Sequence, residues 1–360
     1  MPQRCQSPAN LSSLQSTVAS TTPPHGEAVI VEIRRLRRLP AVLANFDRHL
    51  PDTWRISLVH IGLEEIAAAP LVSAAFSVGR MRLITLPTRP SMHSRRDAWH
   101  ARRMLAHMNA SGRHHNADGV THHVRIRWYN MWLKTLEFWS LFSAPHVLLF
   151  EADSILCPGP TLPLSAWLGQ FAYVGAPWFP RGQSTCHLGV PCCVGVSGLS
   201  LWDRAFVADM LKRKKLASEA SLLQPFKLLD NWISVELQRL ETAGRALVPH
   251  EGVAIAFAVS EPPELALGRI PVHSEGLAPV GVHGPRYWPD TRSVRDGFRD
   301  GAMCPRHLRG PARSTCLRLL RQCPGINAVL LNESLDGEWS AGEWSARVDQ
   351  STEMGGGTDS

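Results

Sequence analysis

Apolar runs rich in β-branched residues alternate with amphipathic stretches over much of this chain, and the alternation predicts an α/β sheet. Ala28 to Ile33 reads as a first buried strand, Leu39 to Leu50 as a short helix stopped by Pro51-Asp52, and Trp54 to His60 as a second strand. Leu83 to Leu86 before Pro87 predicts a third strand. Tyr129, Trp132, Leu133, Leu136 and Trp139 recur at helical spacing, so Tyr129 to Phe142 predicts a helix with a broad apolar face. Ser143-Ala144-Pro145 then leads into Val147-Leu148-Leu149-Phe150, a run apolar enough to be a strand buried on both faces.

Further on, Phe171 to Trp178 predicts a short strand broken at Pro177. Gly189 to Gly198 is a small-residue stretch leading to Leu199-Ser200-Leu201-Trp202, and Asp203 is placed to cap a helix running through Leu211. Leu229 to Leu237 starts another helix with Asp230 in its first turn. Ala254 to Val259 predicts a further strand, and Gly281-Val282-His283-Gly284 predicts a turn.

The ends differ in character. Residues 1–26 are polar, rich in Ser and Thr, and free of acids, which predicts a disordered leader with a slight likeness to an organelle transit peptide. From 291 to 360 the chain is expected to be a largely disordered tail, with one short helix at Ser314 to Gln322 and a tandem Gly-Glu-Trp-Ser-Ala too brief to build a repeat fold. The folded unit is therefore expected over 27–290.

Chemistry enters at the end of the Val147 to Phe150 strand, where Glu151-Ala152-Asp153-Ser154 follows Phe150. Two carboxylates one residue apart fall on one side of an extended backbone and can share a cation. Such acids also serve solvation alone. In open α/β sheets ligands collect beyond the carboxyl ends of strands. Arg34, in the cluster Arg34 to Arg38 after the first strand, is thus open to two readings: a phosphate contact or a solvated basic loop.

The formal charge of +7 does not point to nucleic acid, because Lys and Arg are dispersed and few aromatics alternate with them. A basic surface equally suits an anionic small molecule. His114-His115 and His122-His123 lack Cys or carboxylate at ligand spacing and read as an exposed loop. The eight cysteines show no CxxC or paired zinc spacing, and the expectation is reduced thiols in a soluble protein of a reducing compartment. No segment approaches the roughly 18 apolar residues needed to span a bilayer.

Several stretches together resemble a poorly characterised family of glycosyltransferase-like proteins with the GT-A nucleotide-sugar fold. In order they are Val31-Glu32-Ile33-Arg34, Tyr129-Asn130 through Phe138-Trp139, Val147 through Ser154, Tyr173 through Trp178, Gly198 through Leu201, the helix start at Asp230, Ala254 with Phe257 and Glu261, and Gly281-Val282-His283. The resemblance implies a mixed, mostly parallel sheet flanked by helices in a single catalytic domain. It implies that Glu151 and Asp153, joined by His283, hold Mn²⁺ or Mg²⁺ on the diphosphate of a nucleotide-sugar donor. It implies that Arg34 lies near the nucleotide, that a Gly198-Leu199-Ser200 turn shapes the sugar pocket, and that Asp230 faces a hydroxyl acceptor as its base. Trp178 either stacks on a sugar ring or packs in the core.

This chain departs from the family pattern at Val196-Ser197-Gly198, where Asn-Gly-Gly is usual, at Trp202 in place of an arginine, and at Leu229-Asp230 in place of Glu-Asp. Fewer hydrogen bonds are then available to sugar hydroxyls. Two functions follow: a metal-dependent glycosyltransferase, or a non-catalytic nucleotide- or carbohydrate-binding protein on the same scaffold.

Overall fold

The computed structural model describes residues 26–32, 36, 38–60, 63–85, 130, 132–177, 194–217, 229, 232–233, 236–237, 240, 248–249, 251–260, 278–284 and 318–326. Strand β1 (Gly26–Glu32) is followed by helix α1 (Leu39–His49), β2 (Arg55–His60), helix α2 (Ser73–Ser77) and β3 (Met81–Thr85). After helix α3 (Leu136–Ser140) come β4 (His146–Phe150), β5 (Ser154–Leu156), β6 (Tyr173–Ala176) and β7 (Val196–Asp203). Helix α4 (Arg204–Ala217), helix α5 (Glu251–Ala254), β8 (Ala258–Val259) and β9 (Gly281–His283) complete the labelled elements.

The strands form a six-stranded sheet in the order β3-β2-β1-β4-β7-β6 and a three-stranded sheet in the order β5-β9-β8. In the large sheet β1 pairs in parallel with β2 and β4, and β2 with β3, while β7 runs antiparallel to both β4 and β6. This is the mixed, mostly parallel sheet flanked by helices that the sequence predicts.

Burial on both faces is visible residue by residue. Ala28 and Ile30 of β1, with Leu148 and Phe150 of β4, face one core that includes Leu39, Val42, Leu43 and Phe46 of α1. Val29 and Val31, with Val147 and Leu149, face a second core that includes Phe138, Trp139, Val207 and Trp202. The period of two in each strand divides one apolar run between two cores. Phe46 stacks on Phe150 at 3.6 Å between ring centroids and fixes α1 over the end of β4.

Near the other end of the strands, Glu27 is buried beneath Arg82, whose Nη2 donates to Glu27 Oε1 at 2.6 Å and to the Leu141 carbonyl at 3.0 Å. The Ser57 hydroxyl donates to the same carboxylate. An otherwise costly buried charge is thereby paired and hydrogen-bonded across three strands.

Several expectations need correction. The helix predicted over 129–142 is broken: Asn130 and Trp132 are helical, but Thr135 is extended at ψ 149 and its hydroxyl accepts from Phe138 N, starting α3 anew. Local side-chain capping competes with helix continuation there, and Leu133, Phe138, Trp139 and Phe142 are buried all the same, with Trp132 and Leu136 packed against them. The strand predicted over Ala254 to Val259 begins only at Ala258: Ala254 ends α5, residues 255–257 form a turn, and Ala258 and Val259 make β8. Gly281 to His283, expected in a turn, are instead a strand, β9, followed by Gly284 at φ 60. Glycine at 281 serves close approach rather than turning, since a β-carbon there would crowd the Ile155 carbonyl. Asp203 caps α4 as predicted, its Oδ1 accepting from Phe206 N at 3.0 Å.

The expectation of reduced thiols is overturned at two positions. Cys157, just after β5, is disulfide-bonded to Cys323, 166 residues away in sequence. Residues 318–322 are helical, and Leu319, Cys323 and Ile326 join the α1-side core, so this stretch of the expected tail is part of the folded unit. Spacing rules see only near neighbours, and this pair has none. No helix among the described residues is long and apolar enough to cross a membrane.

Candidate metal centre

Strand β4 stops at Phe150 and the chain turns, so the extended backbone expected through Asp153 is not what aligns the two acids. Ser154 N donates to the Glu151 carbonyl at 3.0 Å, closing a tight turn over Ala152 and Asp153 before β5 begins. The turn brings both carboxylates to the same place by curvature rather than by strand alternation. It is held from several sides. Glu151 N donates to the Gly198 carbonyl at 2.9 Å, the Ser154 hydroxyl donates to the same carbonyl at 2.6 Å, and Gly284 N donates to the Asp153 carbonyl at 3.0 Å. Buried Arg38 donates through Nε to the Ala152 carbonyl at 2.9 Å, gripping the residue between the acids.

β9 pairs antiparallel with β5 so that His283 stands opposite Ser154. Its imidazole Nε2 lies 3.5 Å from Glu151 Oε2 and 3.6 Å from Asp153 Oδ1. One ligand atom from each of these three residues falls within 4.8 Å of the others. Asp153 is buried at 3% side-chain exposure, His283 is 12% exposed and Glu151 is 49% exposed, so the group opens to solvent on the Glu151 side.

Two carboxylates and one imidazole suit a hard or borderline divalent cation. A cation held here would offset the mutual repulsion of the acids, and Glu151 is exposed enough to leave room for further oxygen ligands. The site lies beyond the carboxyl end of β4, where ligands of α/β sheets collect. The donor set therefore fits a divalent cation such as the Mn²⁺ or Mg²⁺ that the family resemblance implies.

The other predicted residues divide. Gly198 is at the site, but within β7 rather than in a turn: the His283 ring lies where its β-carbon would be. Ser200 is fully buried, its hydroxyl donating to the Ser197 carbonyl at 2.8 Å and accepting from Trp202 Nε1 at 2.7 Å. Trp202 packs against Tyr173 and Trp139 in the second core. Arg34, Trp178 and Asp230 lie outside the described residues.

Sequence reasoning gave no role to Arg38, Ser154 or Ser260. Arg38 sits in the basic cluster that drew attention to Arg34, and Ser154 closes the acidic motif, so both carried a faint signal. Ser260 carried none.

Residues 119–283 match the profile of a family described as a protein of unknown function, DUF5672, a span that ends on His283. A comparison with curated proteins gives no match. Among solved structures, the chain is similar to core-mannan synthase A (CmsA/Ktr4) from Aspergillus fumigatus in its Mn/GDP form, at 10% identity over 61% of this chain and 71% of that one, with a TM-score of 0.42. It is similar to galactosyltransferase LgtC in complex with donor and acceptor sugar analogs at 12% identity, over 71% of this chain and 86% of that one, with a TM-score of 0.42. It is also similar to the glycosyltransferase GlyE in Streptococcus pneumoniae TIGR4 at 12% identity, over 92% of this chain but 64% of that one, with a TM-score of 0.40.

Proposed function

We propose that this protein is a metal-dependent glycosyltransferase that moves a sugar from a nucleotide-diphosphate donor to a hydroxyl acceptor. The observation that carries the reading is the meeting of Glu151, Asp153 and His283 at the carboxyl end of β4. In this reading Asp153 and His283 are the fixed ligands and Glu151 is the solvent-side one. When bound, a divalent cation supplies charge neutralisation for the diphosphate leaving group. Arg34 lies with the nucleotide, Asp230 accepts the proton of the acceptor hydroxyl, and Trp178 stacks on a sugar ring. The short, multiply anchored turn around Ala152 keeps the acids in place before substrate arrives, which lowers the reorganisation needed during reaction.

Calorimetry with Mn²⁺ and a panel of UDP- and GDP-sugars tests the proposal. Metal-dependent donor binding that Asp153→Ala abolishes is the expected result. Donor binding indifferent to both metal and that substitution would reject it.

The second reading, a non-catalytic binder, is favoured by one observation: in the altered sugar motif, Trp202 Nε1 donates to the buried Ser200 hydroxyl, which in turn donates to the Ser197 carbonyl, so these polar atoms are used inside the core. A donor-hydrolysis assay over a range of Mn²⁺ separates the two. A transferase releases free sugar slowly without acceptor, whereas a binder releases none.

A further inference from the structure

An imidazole can present either ring nitrogen, so a histidine ligand works only if something fixes its orientation and tautomer. In this chain the register of the small sheet fixes the orientation, and a partner at Nδ1 that can accept lets the ring take the tautomer a cation needs. β8 and β9 pair in parallel with Ala258 opposite Gly281 and Val259 opposite Val282. Continuing that register by one residue sets Ser260 beside His283, and the Ser260 hydroxyl lies 3.0 Å from His283 Nδ1. On the opposite ring edge, Nε2 faces Glu151 and Asp153. Gly198, lacking a β-carbon, gives the ring its space against β7.

The geometry points to Ser260 as a positioning residue for the metal centre: it accepts a hydrogen bond from Nδ1–H of His283 and so leaves the Nε2 lone pair aimed between the two carboxylates. The inference rests on the divalent-cation reading of that centre. A hydrogen on Nε2 would instead occupy the space between the acids, and no lone pair would remain for a cation. A serine hydroxyl is both donor and acceptor. It therefore keeps Nδ1 partnered when the ring proton lies on Nε2, and accepts from Nδ1 once a cation takes Nε2. An aliphatic side chain could do neither.

Two nearly isosteric substitutions separate the hydroxyl's role from mere packing. Ser260→Val removes it and Ser260→Thr retains it. With Mn²⁺ affinity read by calorimetry on the full chain, Ser260→Val is expected to bind 10- to 100-fold more weakly, as loss of such a supporting partner typically does, while Ser260→Thr stays close to wild type. Imidazole ¹⁵N spectra, with His283 assigned through His283→Gln, should show the Mg²⁺-loaded wild type carrying its proton on Nδ1, with that resonance shifted in Ser260→Val but not in Ser260→Thr. Should Ser260→Val fold poorly, Ser260→Ala takes its place with the same expectation. Wild-type Mn²⁺ binding that Asp153→Ala removes but Ser260→Val and Ser260→Ala leave unchanged overturns the positioning role while sparing the metal centre. A wild-type protein that binds no Mn²⁺ overturns the metal centre and the positioning role together.

Discussion

Gly198 lies so close to His283 that a β-carbon on the glycine would overlap the imidazole. The Gly198 carbonyl at the same time accepts from Glu151 N and from the Ser154 hydroxyl. One residue of β7 therefore sets both the histidine and the acidic turn. Gly198→Ala should push His283 away from the carboxylates, lowering Mn²⁺ affinity at least tenfold, with about 1–3 kcal/mol lost from stability through overpacking. Calorimetry and thermal denaturation on the same variant check both halves, and unchanged metal affinity would separate Gly198 from the site.

Asn45 of α1 acts as a surrogate strand for β5. Its Oδ1 accepts from Leu156 N at 2.7 Å and its Nδ2 donates to the Leu156 carbonyl at 3.1 Å. Asn45→Ala leaves a buried donor and a buried acceptor without those partners, so a loss of about 1–3 kcal/mol is expected from urea denaturation. Because β5 follows directly on the acidic turn, Mn²⁺ affinity should fall as well. A variant as stable as wild type would show that water replaces the amide.

The Cys157–Cys323 bridge fastens residues 318–326 to the end of β5. Closing a loop this long restricts the unfolded chain, and loss of a native bridge typically costs about 2–5 kcal/mol. Cys323→Ser, or treatment with reductant, should lower the thermal midpoint measurably. Thiol labelling of the unfolded, unreduced chain followed by mass spectrometry should find residues 157 and 323 protected. Free labelling at both would dismiss the bridge.

His60 gives stability a pH dependence. Burial holds its pKa below the ordinary 6.5, against a smaller opposite pull from Glu64 and Glu65. Its Nδ1 accepts from Leu63 N at 3.1 Å, so protonation there would set two donors against each other. The folded state thus binds this proton less readily than the unfolded chain. The contribution is fully present above the unfolded value of 6.5 and is lost as pH falls through the lower folded value. His146, whose pKa is also lowered chiefly by burial, acts in the same direction. Urea midpoints measured from pH 7.5 down to pH 5 should decline, and His60→Asn, which keeps an acceptor for Leu63 N, should flatten the decline. An equal slope in that variant would assign the dependence elsewhere.

Read from sequence alone, β1 and β4 are legible because burial on both faces demands an unbroken apolar run, and a run of that length bounded by polar residues has few other uses. The cap at Asp203 is legible for the same kind of reason: helix starts are local, and their chemistry is written within a turn. The acids at 151 and 153 stand out where such a run stops, and the family resemblance pairs them with His283. The rest depends on partners far apart in the chain. Ser260 meets His283 only through the β8–β9 register, Gly198 meets it only because β7 and β9 pack together, and Arg38 reaches Ala152 across the gap between α1 and β4. The break at Thr135 and the Cys157–Cys323 bridge belong with these. Periodicity records which way a residue faces along its own element, whereas a binding site is made by what stands opposite, and that is decided only when the sheets close over one another.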